Sequence, residues 1–455
     1  MQPPVMTAIS ARFFRRVASR MLCAVLAVVA AGPLHAENLL DVFREAVQHD
    51  AVIRAAAAKR AAAGEARPKS RALLLPNFAF SADYSRNRNE IISADSPFFK
   101  PQEVFFWSRG YGLTLTQPIF NRDYFVQLKQ ADAVIKAADA EFAAAQQDLI
   151  IRVTEAYFNV LGAMDNLEFV LANKSSIQRQ LEQAKQRFEV GLIAITDVHE
   201  SQAAFDNARA QEIEALNLLS NTREALRVIT GREYENMAKL IEEIPLIKPD
   251  PEDIDRWGET ALAQNFLVLA AEQQLIRARE EVKRRRGGHL PTLNLSGSHR
   301  YSNVDDGFFG GSESEDSAIG LVFNLPIYQG GGVNALVREA LHLEEQAREE
   351  LELRRRETLR QTRDSYLNVL AGIETVKARR QSVISAQSAL EATEAGLEVG
   401  TRTTVDVLNV RQNLLLNKRD YARSRYTYLL NALRLKQAAG SLTPQDLEQI
   451  NAWLE

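Results

Sequence analysis

The sequence predicts a membrane α+β fold. Each chain contributes a few β-strands to a barrel that other copies complete, and the barrel continues into long helical hairpins. Three observations carry this reading. Two proline-free helical patterns of about 70 residues each run from Asn121 to Phe188 and from Gly332 to Leu397, about 100 Å at 1.5 Å per residue. Two pairs of amphipathic strands precede them. The two long patterns also end alike, at Val190-Gly191-Leu192 and Val399-Gly400-Thr401, each with an Asp-Val pair six residues after the glycine (Asp197, Asp406). Gly191 to Gly400 and Asp197 to Asp406 are the same distance apart in sequence, which marks a tandem duplication.

Residues 1–36 read as a secretory signal peptide. Arg12, Arg15, Arg16 and Arg20 form its basic region, Met21 to Ala31 its apolar region, and Leu34-His35-Ala36 the cleavage site. Its removal takes away four arginines and no acids. That leaves 51 Lys+Arg against 59 Asp+Glu, a net charge of −8 that argues against a nucleic-acid partner. The only cysteine, Cys23, lies inside this segment, so no disulfide or thiol chemistry is expected of the mature chain. The mature chain has no apolar run of about twenty residues, so any membrane passage must use a β-barrel.

The first repeat spans 37–244. A helix from Leu39 to about Arg67 is followed by a strand over Leu75–Tyr84 and a polar loop over Asn87–Glu103 that holds Pro97, Phe98, Phe99 and Pro101. The next strand alternates Trp107, Tyr111, Leu113 and Leu115 with Ser108, Gly110, Gly112, Thr114 and Thr116, and Gln117-Pro118 closes it. After the long helix and its tip, a second helix runs from Thr196 to Thr230 and stops at Gly231. A proline-rich linker, 245–253, leads to the second repeat, 254–440. There a helix over Ile254–Arg286 breaks at Gly287-Gly288, a strand follows from His289, and an acidic loop spans Asp305–Asp316. Gly320–Tyr328 matches Gly112–Phe120 nearly position for position. The last long helix stops at Gly440, and 441–455 is a short C-terminal tail.

Four strands cannot close a barrel, and hydrocarbon cannot satisfy open strand edges. Two, three or four copies would give 8, 12 or 16 strands, all closable, and physics alone does not choose among them. A soluble sandwich would show similar alternation. The helices weigh against it: they are several times longer than a bilayer is thick, and polar around their circumference, as befits a water-filled duct.

The chain resembles the TolC family of outer-membrane efflux and secretion channels. The resemblance rests on Glu37-Asn38-Leu39-Leu40, Leu74-Leu75-Pro76, Leu325-Pro326-Ile327-Tyr328-Gln329-Gly330-Gly331, the two tips, and Tyr426-Thr427-Tyr428-Leu429-Leu430-Asn431. It covers essentially the whole mature chain. It implies a homotrimer with a 12-stranded barrel in the outer membrane and a 12-helix tunnel through the periplasm. It further implies docking onto a periplasmic adaptor (membrane fusion) protein and an inner-membrane pump, for drug efflux or type I protein secretion.

Carried over by position, Asp406 supplies a ring of carboxylates at the periplasmic pore constriction. The family's usual second acid is replaced by Asn409, so the ring is weaker. The competing role for Asp406 is a helix N-cap. Arg402 matches a gate-latch arginine, with Asp197 and Thr196 as acceptors, and Leu397 stands where the family often has a tyrosine. Val190, Gly191, Leu192, Val399, Gly400 and Thr401 form the candidate adaptor-docking tips.

Gly330-Gly331-Gly332 lacks the spacing of a phosphate loop. The mature histidines have no zinc-like spacing, and no nucleophile constellation is present. No cofactor, metal or enzymatic activity is expected. The runner-up reading is a periplasmic adaptor or structural coiled-coil protein of an export system.

Overall fold

The computed structural model describes residues 37–93, 102–234, 236–307 and 310–455. The predicted signal peptide lies outside the described residues, as do Pro97, Phe98, Phe99 and Pro101 of the first predicted loop. In the first half the elements are α1 (Leu39–His49), α2 (Ala51–Gly64), α3 (Ala66–Ala72), β1 (Asn77–Ile91), β2 (Gln102–Phe120), α4 (Arg122–Glu189) and α5 (Ile195–Thr230). The second half has α6 (Ile254–Gln264), α7 (Phe266–Arg286), β3 (Thr292–Gly307), β4 (Gly310–Asn324), α8 (Gly332–Glu398) and α9 (Thr404–Ala438), and α10 (Pro444–Asn451) closes the chain. Short helices, two strands and a long helical hairpin therefore occur twice in the same order.

The long helices start and stop where their sequence signals lie. Asn121 opens α4 by accepting a hydrogen bond from the Asp123 N–H at 3.0 Å. With 68 residues in α4 and 67 in α8, each spans roughly 100 Å. None of the described helices is long and apolar enough to cross a membrane.

The strands form one antiparallel sheet in the order β1-β2-β3-β4. Its registers put Phe78, Phe80, Tyr84, Trp107, Tyr111, Leu113, Tyr301, Ile319, Leu321 and Phe323 on one face. Tyr84 stacks on Trp107 at 4.9 Å and Tyr111 on Tyr301 at 5.0 Å. The opposite face is polar: Asn87 donates to the Ser108 hydroxyl at 2.7 Å, and Ser85 bonds the same hydroxyl at 2.8 Å. Apolar outside and polar inside is the pattern of a water-filled barrel wall.

Several elements differ from the sequence expectation. Both predicted entry helices break at an Asx residue, Asp50 in the first repeat and Asn265 in the second, each at ψ 122°. Asp50 accepts from the Ile53 N–H at 3.0 Å, and Asn265 from the Leu267 N–H at 3.0 Å and the Val268 N–H at 3.3 Å. A short side-chain acceptor competes here with the continuing helix and caps the next one. Arg152 of α4 then holds Asp50 at 2.8 Å. Burial pushes the Asp50 carboxyl up, but the Arg152 and Ile53 hydrogen bonds outweigh that and keep it below its ordinary value.

The strands are also longer than predicted. Much of the predicted acidic loop is strand, with Tyr301 opposite Glu315 and Asn303 opposite Glu313. Both strand faces are polar there, so period-2 alternation gives no signal. The C-terminal tail carries a helix. Thr443 and Asp446 form a capping box, Leu447 and Ile450 are buried, and Leu454 bridges Leu240. The main core lies where this tail, α1, α4 and α9 meet, around Leu39, Tyr157, Phe158, Tyr426, Leu429 and Leu447. The Tyr157 hydroxyl donates to the Ala238 carbonyl at 2.8 Å, and burial raises its pKa.

Candidate functional site at the hairpin tips

Each long hairpin turns through a left-handed glycine, Gly191 at φ 75° and Gly400 at φ 78°, a conformation that suits a residue without Cβ. The closing hydrogen bonds are alike. The Gly191 N–H donates to the Phe188 carbonyl and Leu192 to Arg187; Gly400 donates to Leu397 and Thr401 to Gly396. Val190, Leu192 and Val399 are left at least 70 % exposed. Gly191, Gly400 and Thr401 are exposed beside them.

The next helices open differently. In the second tip Thr403 is the N-cap and Asp406 is the third helical residue, not the cap itself. The Thr403 hydroxyl accepts from the Asp406 N–H at 3.2 Å. In return, Asp406 Oδ2 accepts from the Thr403 N–H and hydroxyl, both at 2.9 Å. This is a complete capping box. Those bonds, the backbone N–H first, hold the Asp406 carboxyl below its ordinary value, with the charge of Arg402 adding to them. Among the described residues no hydrogen bond reaches Asp406 Oδ1, so capping leaves one oxygen free.

In the first tip Ala194 occupies the cap position and supplies no side-chain acceptor. Asp197 sits at the equivalent third position, its N–H bonded to the Ala194 carbonyl at 3.2 Å. Thr196 is exposed beside it, and Asn409 is exposed on α9. The predicted latch residues are not joined within the protomer: no hydrogen bond or ion pair links Arg402 to Thr196 or Asp197 among the described residues. The stem of Arg402 instead lies over Gly396, where an added Cβ would come within 2.8 Å of Arg402 Cγ. Leu397 packs into the seam between α8 and α9 with Leu390, Val407 and Leu414.

One link between the hairpins escaped sequence reasoning. Arg411 of α9 donates to the Gln180 side chain of α4 at 3.0 Å and also pairs with Glu394 of α8. Its side chain is 15 % exposed, so it binds the two hairpins close above their tips from a sheltered position. The three residues are far apart in sequence, and each looks like an ordinary polar helix residue. No local signal marks them.

The sequence profile of the outer membrane efflux proteins matches this chain over residues 42–232 and again over 257–441. The chain belongs to the outer membrane efflux protein family. Within that family it is 41 % identical to the outer membrane protein TolC of Vibrio cholerae over 423 residues, covering 92 % of this chain and 94 % of that one. It is 30 % identical to the alkaline protease secretion protein AprF of Pseudomonas aeruginosa over 417 residues, covering 91 % and 87 %. In fold it is similar to the CmeC outer membrane channel of Campylobacter jejuni, with a TM-score of 0.77, 19 % identity, and 92 % and 90 % of the two chains covered. This member of the efflux family is a TolC-like outer-membrane channel, with the α+β fold of that family's channel-tunnels.

Proposed function

We propose that three copies of the chain close one barrel and one helical tunnel, and that this assembly is the passive exit duct of a tripartite export system. The observation that carries the reading is the joining of two incomplete surfaces in one chain. A four-stranded sheet, apolar outside and polar inside, has two open edges and runs into helices of about 100 Å. The isolated protomer exposes 29128 Å², against roughly 17,000 Å² for a compact monomer of this mass. That excess fits a chain whose helix faces and sheet edges are covered by copies of itself.

In this reading the second-hairpin tips converge on the axis. Asp406 Oδ1 faces the passage and, with its copies, favours cations there. Asn409 adds no charge, so the preference is modest. Arg402 reaches Thr196 or Asp197 of a neighbouring copy and holds the tips closed, while Arg411 holds the two hairpins of one protomer together. Planar-bilayer recording of Arg402→Ser tests this gate. A larger single-channel conductance than wild type is expected, and an equal conductance removes Arg402 from it.

The exposed Val190-Gly191-Leu192 and Val399-Gly400-Thr401 turns are the docking tips for a periplasmic adaptor that couples the duct to an inner-membrane pump. Cross-linking from Leu192 or Thr401 is expected to capture that adaptor, and repeated failure to do so would remove the assignment. The name of the AprF relative, an alkaline protease secretion protein, fits export of proteins through such a duct, and the family's name fits efflux. The duct itself chooses neither. Catalysis has no part in the reading.

A further inference from the structure

Among the described residues, the edges of the sheet, β1 and β4, are unpaired within the protomer. We propose that β4 of one protomer pairs with β1 of the next in a single register, with Ser317 opposite the next protomer's Arg88, Ile319 opposite its Arg86 and Leu321 opposite its Tyr84. The proposal rests on the barrel closure proposed above and fixes its seam residue by residue.

The register follows from the duplication. β1 and β3 are equivalent strands, aligned by Leu75-Pro76 and Leu290-Pro291, 215 residues apart. β2 and β4 are aligned by Pro118-Ile119 and Pro326-Ile327, 208 residues apart. These two shifts can be checked inside the chain. Applied to the β1–β2 pairs Phe80↔Leu113 and Tyr84↔Arg109, they give Leu295↔Leu321 and His299↔Ser317. Both are pairs of the observed β3–β4 register. Applied to the β2–β3 pairs Leu113↔His299, Tyr111↔Tyr301 and Arg109↔Asn303, the same shifts give the seam proposed here.

The chemistry of the two edges agrees. The seam keeps Ile319, Leu321 and Phe323 on the same face as Phe80, Tyr84 and Trp107, so the apolar band continues around the barrel. A slip of one residue would turn all three toward the lumen. A slip of two would keep the faces and place Glu315 opposite Arg88. Arg88, however, already pairs with Glu90 at 2.9 Å and with Glu103 in its own protomer, so it needs no acid from across the seam.

The test is disulfide trapping in the full-length membrane protein, whose one native cysteine, Cys23, lies in the predicted signal peptide. Directly opposed residues in an antiparallel pair have Cα atoms about 4.5–5.5 Å apart, within disulfide reach, whereas diagonal neighbours lie at about 7–8 Å. Within one protomer β1 and β4 are three strand spacings apart, roughly 14 Å, too far to be bridged. Oxidised Arg88→Cys/Ser317→Cys should run as a covalent three-copy ring on a non-reducing gel, in several-fold excess over Arg88→Cys/Glu315→Cys. The pair Arg86→Cys/Ile319→Cys should show the same excess over Arg86→Cys/Ser317→Cys, which covers the failure of one variant to fold. The reverse preference, or no trapping in variants that still migrate as trimers before heating, overturns the register and leaves the barrel reading standing. Absence of any trimer in the unmodified protein overturns the barrel reading instead.

Discussion

Gly231 and Gly440 end the returning helices of the two repeats in the same left-handed conformation, at φ 73° and 76°. Their surroundings differ. A Cβ on Gly231 would meet the His49 side chain first, at an ordinary contact distance of 3.6 Å. On Gly440 it would lie 2.4 Å from the Gln264 carbonyl oxygen and 2.6 Å from its carbon. The tips differ in the same sense, with a full capping box at Thr403–Asp406 and a bare alanine at Ala194. Duplication has kept the backbone path in both halves while the tighter fastening has settled on the second. Asn265 also ties the second repeat down by donating to the Ala438 carbonyl at 3.0 Å, and Gln147 donates to the Gly440 and Leu442 carbonyls at 3.1 and 2.9 Å.

The largest test of that contrast is alanine at the two glycines. Gly231→Ala meets only the cost of a left-handed alanine, about 1–2 kcal/mol. Gly440→Ala adds a clash with backbone that cannot rotate away, and a loss on the order of 3 kcal/mol or more is expected. Thermal dissociation of the trimer on gels measures both. Equal losses would break the comparison at this level.

A smaller test exchanges the caps. Thr403→Ala should weaken the start of α9 by ~1 kcal/mol, and Ala194→Thr should strengthen the start of α5 by up to a similar amount. Hydrogen exchange of the tip amides reads both changes in opposite directions. Acid should imitate Thr403→Ala at the second tip alone. The folded Asp406 carboxyl is held below its ordinary value, so its contribution is complete above the unfolded value of about 3.9 and is lost as pH falls through the lower folded one. Faster second-tip exchange already at neutral pH would contradict the box.

Most of the fold was legible because its signals are local. Asn121, Gly191, Gly231, Gly400 and Gly440 stand within a residue or two of real helix ends, and a helix of nearly 70 residues needs no long-range information to be seen. The breaks at Asp50 and Asn265 were missed because alanine-rich and leucine-rich neighbours favour helix on both sides, and the local Asx caps are reinforced by tertiary partners, Arg152 and the Ala438 carbonyl, that no local pattern reveals. The outer strand ends were missed because Glu313 and Asp316 are polar on both faces. The tail was missed because Leu447 and Ile450 become core only when α1 and α9 arrive beside them. At the tips, the place of Asp406 at the start of the helix after the turn was legible, but its exact helical position depended on Thr403. Arg411 was invisible because Gln180, Glu394 and Arg411 meet only after both hairpins have folded.

In the proposed duct, Asp406 lines the constriction through which cargo leaves. The most direct test is the reversal potential of purified trimers in a planar bilayer under a salt gradient, for wild type and Asp406→Ala. Small conductance steps with a modest cation preference are expected in wild type, and the preference should be lost in the variant while trimers stay intact. An unchanged preference in Asp406→Ala would place the constriction elsewhere and leave Asp406 only its capping role.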